Sequence, residues 1–230
     1  MRETLETGLK LLEIPLEDAQ ITQLCEFLER VLKQNEVMNL TAIRDPVQGA
    51  KLHLLDSLTL LKTADFRNKK VVDVGCGAGF PGVPLKIACP SAKLTLLDSL
   101  AKRMNWLSSV LPEMGIDAQI CTARAEEAVR SRREQYDYAV SRAVARLPIL
   151  LELTAPFVRV GGAVLAMKGS AAREELRESA AAIEQLGLKF EELREFPIEE
   201  GGHGVIVLRK VKHTPPKYPR RYAKIKQEPL

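Results

Sequence analysis

Along the first part of the chain, apolar positions recur every three to four residues. Leu5, Leu9 and Leu12 fall at that spacing within residues 3–14, and Ile21, Leu24, Leu28, Val31 and Leu32 repeat it after Pro15. Such a repeat places the apolar side chains on one stripe of a helix, so two amphipathic helices are predicted. The polar run from Asn35 to Asn39 reads as the loop that ends the second. Asp45-Pro46 reads as another helix start, because aspartate can accept the free first-turn amides and proline fits the first helical position. The helix it opens carries His53 and Asp56. No strand-like alternation interrupts residues 1–66, which are predicted to form a helical N-terminal extension.

The pattern changes at Lys69. Short, mostly apolar runs at 71–74, 94–97, 118–121, 136–141 and 163–167 alternate with helical stretches at 82–89, 100–114, 123–133, 147–158 and 171–187. A near-continuous apolar run is what a parallel strand covered on both faces calls for. The alternation predicts an α/β, Rossmann-like doubly wound sheet over residues 67–211. Gly161-Gly162 is expected to turn the chain into the fifth strand. Two further runs, 189–196 and 205–211, flank Glu199-Glu-Gly-Gly-His-Gly and predict a terminal antiparallel hairpin, completing a seven-stranded sheet. Residues 212–230, with Pro215, Pro216, Pro219 and many cations, are expected to extend over the surface.

Charge refines this picture. The total is +4 over 230 residues. From Arg209 onward eight cations face one carboxylate, Glu228, so the end carries +7 and the remainder −3. A mildly acidic body with a basic end is the asymmetry of a polyanion binder, although a solvated tail explains the charge equally well. Cys25, Cys76, Cys89 and Cys121 are widely spaced, with no C-x-x-C pair or Cys/His cluster. That argues against zinc and against a disulfide framework, and it fits a reducing cytoplasm. No apolar run reaches the ~20 residues that span a bilayer. A cytoplasmic monomer with no metal and no membrane association is expected.

The strongest local signal is Asp73-Val-Gly75-Cys-Gly77-Ala-Gly79-Phe80-Pro-Gly, between the first strand and the next helix. Ligands bind there, at the carboxyl ends of the strands. A dinucleotide fingerprint would need glycine at position 80, which is Phe80. The acidic Asp73 before the loop suits a cationic ligand such as S-adenosylmethionine, which carries an ammonium and a sulfonium. Asp98, ending the second strand, can accept from both ribose hydroxyls. Arg124-Ala125-Glu126-Glu127 follows the third strand, where adenine contacts lie in such folds, though an acidic helix start explains the two glutamates as well. The closing hairpin is a class I methyltransferase variation rather than a dehydrogenase one.

Taken in order along the chain, Asn39-Leu-Thr-Ala-Ile, His53-Leu-Leu-Asp56-Ser-Leu, the glycine loop, Leu97-Asp98-Ser99-Leu, Ala125-Glu126-Glu, Ser141-Arg142-Ala-Val-Ala, Lys168-Gly169 and Pro216-Lys217-Tyr-Pro-Arg220 resemble one family. It is the bacterial small-subunit rRNA methyltransferase G family, also called glucose-inhibited division protein B. The resemblance implies transfer of methyl from S-adenosylmethionine to N7 of a guanosine in the 530 loop of 16S rRNA, free or within the small ribosomal subunit. It implies that Asp73, Gly75, Gly77, Gly79, Phe80, Asp98, Ser99, Ala125, Glu126 and Arg142 serve the cofactor. Arg142 is also the candidate catalytic residue, near the methionine end or the target base. Asn39, His53, Lys168, Lys217, Arg220 and Arg221 are the candidate RNA contacts.

Guanine N7 already presents a lone pair, so such a transfer needs alignment rather than a general base. Consistent with this, no Asn/Asp-Pro-Pro-aromatic block and no Pro-Cys pair is present. Cys76, in a turn, is read as packing rather than as a nucleophile. The competing readings are a small-molecule methyltransferase with an incidental tail and a nonenzymatic RNA-binding module.

Overall fold

The computed structural model describes residues 1–198 and 202–230. Residues 199–201, part of the predicted hairpin connection, lie outside the described residues. Helices α1 (Arg2–Leu11) and α2 (Asp18–Met38) form where the apolar stripes predict them. Contrary to the predicted loop, α2 continues through Asn35, which is buried and whose Oδ1 accepts the Thr41 amide at 2.9 Å. The helix stops instead at Asn39, at φ 50°, a left-handed conformation that asparagine tolerates better than most residues.

Asp45 caps the next run by accepting the Gln48 amide at 2.7 Å. This run comprises α3 (Pro46–Gly49), a wide π-helical stretch Ala50–Leu55, α4 (Asp56–Leu58) and a 3₁₀ turn Thr59–Lys62. The π-helical stretch contains His53 and leads into Asp56; such local widenings recur at functional sites.

The sheet holds β1 (Lys70–Val74), β2 (Lys93–Asp98), β3 (Gln119–Thr122), β4 (Tyr136–Arg142), β5 (Val158–Lys168), β6 (Leu188–Phe196) and β7 (His203–Lys210). Its order is β3-β2-β1-β4-β5-β7-β6, with β1 to β5 parallel and β7 antiparallel to both β5 and β6. The helices between are α5 (Gly82–Ala88), α6 (Ala101–Glu113), α7 (Ala125–Arg132), α8 (Leu147–Thr154), α9 (Ala172–Glu178) and α10 (Ala180–Gln185).

Two expected boundaries move. The helix predicted over 171–187 divides at Ser179, whose hydroxyl turns back onto the Glu175 carbonyl at 2.7 Å. Gly161-Gly162 is no turn: β5 begins at Val158 and runs through both glycines. A Cβ at Gly162 would lie 2.3 Å from the Asp137 carbonyl of the neighbouring strand, so only glycine permits that approach.

One face of the sheet, with Val71, Leu94, Leu96, Val140 and Leu165, shares a single apolar cluster with Leu5, Leu24, Phe27 and Leu28 of the N-terminal helices. The other face packs Val72, Leu97, Ala139 and Val164 against Leu150, Leu151, Ala182 and Leu186. Truncating a fully buried leucine such as Leu28 to alanine costs about 2–5 kcal/mol in cores of this kind. The N-terminal helices are therefore fastened to the sheet, which fixes His53 and Asp56 relative to β4.

The C-terminal segment corrects the expectation of a loose surface extension. Tyr218 and Ile225 are buried, and the segment ends in a short helix, α11 (Tyr222–Gln227). The proline- and lysine-rich composition hid these two apolar anchors.

Candidate active site

The strand order reverses between β1 and β4, where connections leave to opposite sides and open a crevice at the strands' carboxyl ends. Two cavities lie there, and Ala143 and Val144 line both. Ala143 sits at φ 55° just after β4, a strained setting of the kind that collects at functional sites.

The smaller cavity, about 340 Å³, is lined among others by Gly75, Asp98, Ser99, Arg103, Ala125, Glu126 and Tyr222. It is built largely from main chain. Gly75, at φ 76°, lies so close to Val144 that a Cβ would meet its Cγ2 at 2.4 Å. At Gly77, φ 57°, an added Cβ would find only Arg103, 3.9 Å away, so the loop leaves open space above it. Asp98 accepts the Gly77 amide at 2.9 Å through Oδ2 and the Leu100 amide at 2.9 Å through Oδ1. Each carboxylate oxygen keeps a further lone pair for a diol. Ala125 and Glu126 open α7, where the first amides have no intrahelical acceptor. A carboxylate, free amides and a volume of this size fit the ribose and adenine of S-adenosylmethionine.

The larger cavity, about 670 Å³, is built from side chains that converge from distant parts of the chain. Arg142, at the end of β4, donates through Nη1 to the Leu52 carbonyl at 2.6 Å and to Asp56 Oδ2 at 3.0 Å. Its Nη2 lies 3.1 Å from His53 Nδ1. A guanidinium can only donate, so Nδ1 accepts and the imidazole proton sits on Nε2, which donates to Thr41 Oγ1 at 2.8 Å. Burial, with the Arg142 charge beside it, pushes His53 down to about 4. The imidazole is thus neutral and bonded at both nitrogens. Asp56 Oδ1 meets His203 Nδ1 of β7 at 3.2 Å. Phe80 stacks on His53 with ring centres 4.6 Å apart, and the Arg142 guanidinium carbon lies 5.3 Å from the same ring centre.

The structure brings Gly75, Asp98, Ser99, Ala125 and Glu126 together on one cavity, while Arg142, His53 and Lys168 line the other. Other candidates serve differently. Asp73 is fully buried beneath the loop, where Oδ2 accepts the Gly82 amide at 2.7 Å and Oδ1 has no partner. Burial pushes its carboxyl up to about 7, against the lowering effect of that bond; through Oδ2 it braces the start of α5. Gly79 packs against Val83, Leu107 and Phe27, and the Phe80 ring is buried on His53, so neither lines the smaller cavity. Asn39 ends α2. The Lys168 amine is engaged by the Ala145 carbonyl at 2.5 Å and Glu175 at 2.8 Å, which leaves it poorly placed for phosphate. Arg220 forms a forked pair with the fully buried Glu152 at 2.9 and 2.6 Å. Only Lys217 and Arg221 of the candidate tail contacts are exposed.

Sequence reasoning missed Asp56 and His203, which complete the Arg142 cluster, and Arg103 and Tyr222 on the smaller cavity. The long sequence separations from Asp56 to Arg142 and His203, and from Arg103 to Tyr222, carry no signal of proximity; the His53-x-x-Asp56 pair, three residues apart on one helical run, does. Cys76 is buried with Sγ 3.7 Å from Met104 Sδ, and burial drives its thiol well up, in keeping with packing. Among the described residues no group of three or more His, Cys, Asp and Glu side chains could hold a metal ion, and no helix is long and apolar enough to cross a membrane.

Comparison with known proteins adds an independent line. The family profile described as GidB, rRNA small subunit methyltransferase G, matches residues 20–200. A ribosomal RNA small subunit methyltransferase G of Alkaliphilus oremlandii is 43% identical over 236 residues, covering 100% of this chain and 99% of that protein. One of Bacillus cytotoxicus is 42% identical over 214 residues, 90% of each. Among solved structures, a 16S rRNA (adenine(1408)-N(1))-methyltransferase from Catenulisporales acidiphilia superposes with a TM-score of 0.53 at 16% identity, over 68% of this chain and 92% of that one. A precorrin-6y C5,15-methyltransferase from Geobacter metallireducens gives 0.51 at 12% identity, over 68% and 87%. At those identities the structural likeness shows the shared fold.

Proposed function

The chain belongs to the rRNA small subunit methyltransferase G family, and from that premise we propose that it methylates N7 of a guanosine in the 530 loop of 16S rRNA, using S-adenosylmethionine. The observation that carries the reading is the pair of cavities meeting at Ala143 and Val144, one fitted to an adenosine and the other large enough for a nucleotide base. S-adenosylmethionine, when bound, supplies a methyl group on a positively charged sulfur.

The residues present do what such a transfer asks. Asp98, Gly75 and the first amides of α7, which share one cavity, would hold the adenosine end. Arg142 is pinned by Leu52, Asp56 and His53, which leaves Nε–H and one Nη2–H for a substrate oxygen. Positive charge grows on the base as N7 is alkylated, so a guanidinium belongs on guanine O6 or a phosphate, where its fork geometry matches. His53 is no base: both nitrogens are occupied and its proton affinity is depressed. A lone pair on N7 makes a base unnecessary, and rigid alignment can supply about 7–11 kcal/mol in well-oriented systems. Exposed Lys217 and Arg221 offer sequence-independent phosphate contacts, while the fold presents few aromatic rings for stacking single strands. The natural target is a folded ribosomal surface, met by a cytoplasmic monomer.

The test is incubation with radiolabelled S-adenosylmethionine and small subunits lacking the modification, followed by borohydride–aniline cleavage, which is selective for 7-methylguanosine. A single cleavage in the 530 loop is expected. Label at another nucleotide overturns the target, and cofactor binding without RNA labelling favours a small-molecule substrate.

A further inference from the structure

The C-terminal segment is basic enough to be taken for an RNA arm, yet several of its groups are spent on fastening it down. The Glu152 carboxylate, fully buried on α8, takes the Arg220 amide at 2.7 Å and both arms of its guanidinium. Arg133 donates to the carbonyls of Thr214, Pro215 and Tyr218 at 2.9, 3.0 and 2.9 Å. Lys210, fully buried, donates to the Ala155 carbonyl at 2.8 Å and to Thr214 Oγ1. The Tyr218 hydroxyl donates to Gln185 at 2.6 Å, and Ile225 is wholly buried. A segment held at so many points has a fixed path.

That path carries Tyr222 to the smaller cavity, which it lines together with Leu153, the residue after Glu152. Arg124, on the same cavity, places its guanidinium carbon 4.6 Å from the centre of the Tyr222 ring and bonds Glu126 at 2.8 Å. The elements that would hold adenine, Ala125 and Glu126, are the residues immediately following Arg124. An aromatic ring backed by a guanidinium is a surface against which a purine packs well, and its energy does not depend on a hydroxyl.

We propose that Tyr222, held in place by the Arg220–Glu152 anchor and paired with Arg124, is a cofactor-affinity residue that closes the adenine end of the smaller cavity. The C-terminal segment therefore has two faces: exposed Lys217, Arg221, Lys224 and Lys226 outward, and Tyr222 inward. This rests on the reading of that cavity as the adenosine subsite.

Calorimetric titration of the intact protein with S-adenosylhomocysteine and with 5′-methylthioadenosine tests it, using Tyr222→Ala, Tyr222→Phe and, as a control on the cavity itself, Asp98→Ala. Tyr222→Ala is expected to raise both Kd values about tenfold, the scale of one lost aromatic–base contact. Tyr222→Phe is expected to restore most of that loss, and the unliganded melting temperature of both Tyr222 variants should match the parent. Unchanged Kd in Tyr222→Ala beside a large loss in Asp98→Ala overturns the role of Tyr222 while the cavity assignment stands. Unchanged Kd in all variants removes the cavity assignment and this inference with it. A lowered melting temperature with no recovery in Tyr222→Phe also overturns it, in favour of a purely structural ring.

Discussion

The two cavities at the head of the sheet are made by opposite means. One is a main-chain site, shaped by glycine conformations, helix-start amides and one carboxylate held by two backbone donors. The other is a side-chain site whose charged groups, His53, Asp56, Arg142 and His203, arrive from an N-terminal helix, a central strand and the terminal hairpin. In the first, the Asp98 side chain can be altered at modest cost to the fold, because it is only half-buried and the two amides it accepts lie at the rim of the cavity. The second is wired into the interior, so the same groups that would orient a substrate also hold the N-terminal helices to the sheet. Function and stability are separable in one cavity and inseparable in the other.

That contrast can be broken by substitution. The largest effect is expected for Arg142→Ala, which takes the guanidinium from the buried Asp56 Oδ2 and leaves that carboxylate only His203; a loss of about 3–5 kcal/mol in urea denaturation accompanies loss of methyl transfer. Asp98→Ala should instead leave stability almost unchanged while weakening cofactor binding by about 1.5–3 kcal/mol per lost charge-assisted bond, read by calorimetry. If Asp98→Ala unfolds the protein, or Arg142→Ala melts like the parent, the contrast is wrong.

His53 sharpens it through pH. An unfolded histidine takes its proton near pH 6.5, whereas the buried one resists until about 4. Stability is therefore lost as pH falls across that window, by about 1–3 kcal/mol. His53→Gln, which can still accept from Arg142 and donate to Thr41, should flatten the decline in melting temperature between pH 7 and 4. Asp73 acts in the opposite sense, since its raised proton affinity favours the folded state at the acid end. The smallest effect is expected for Gly77→Ala. Its positive φ costs an alanine about 1–2 kcal/mol, and with open space above the loop, the melting temperature should fall only by that strain.

The same contrast explains what could be read from the sequence. Gly75, Gly77, Asp98 and Ala125 form their site from segments whose spacing is set by one βαβ unit and the strand beside it, so local pattern suffices. The alternation of apolar runs located the parallel strands for a similar reason: each announces itself by being covered on both faces. The side-chain cluster needed long-range geometry. Nothing near Arg142 in the sequence announces that His203 will lie across Asp56, because that depends on β7 inserting between β5 and β6. For Asp73 and Phe80 the motif fixed position along the chain but not side-chain direction: Asp73 turns into the interior beneath Gly82, and Phe80 turns toward His53 and Arg142. In the C-terminal segment, composition pointed to solvent, and the buried partners of Arg220 and Ile225 lay too far away to be seen.

The anchor at Glu152 also bears on what a cut in the chain ahead of it would do. A chain clipped before residue 220 would retain every strand of the sheet yet keep a carboxylate in a dry interior with no cation beside it. Such a product opens more often and is exposed to proteases each time it does. The stretch around Arg220 thus works as a latch on α8: the interior is electrically satisfied only while that one side chain is in place.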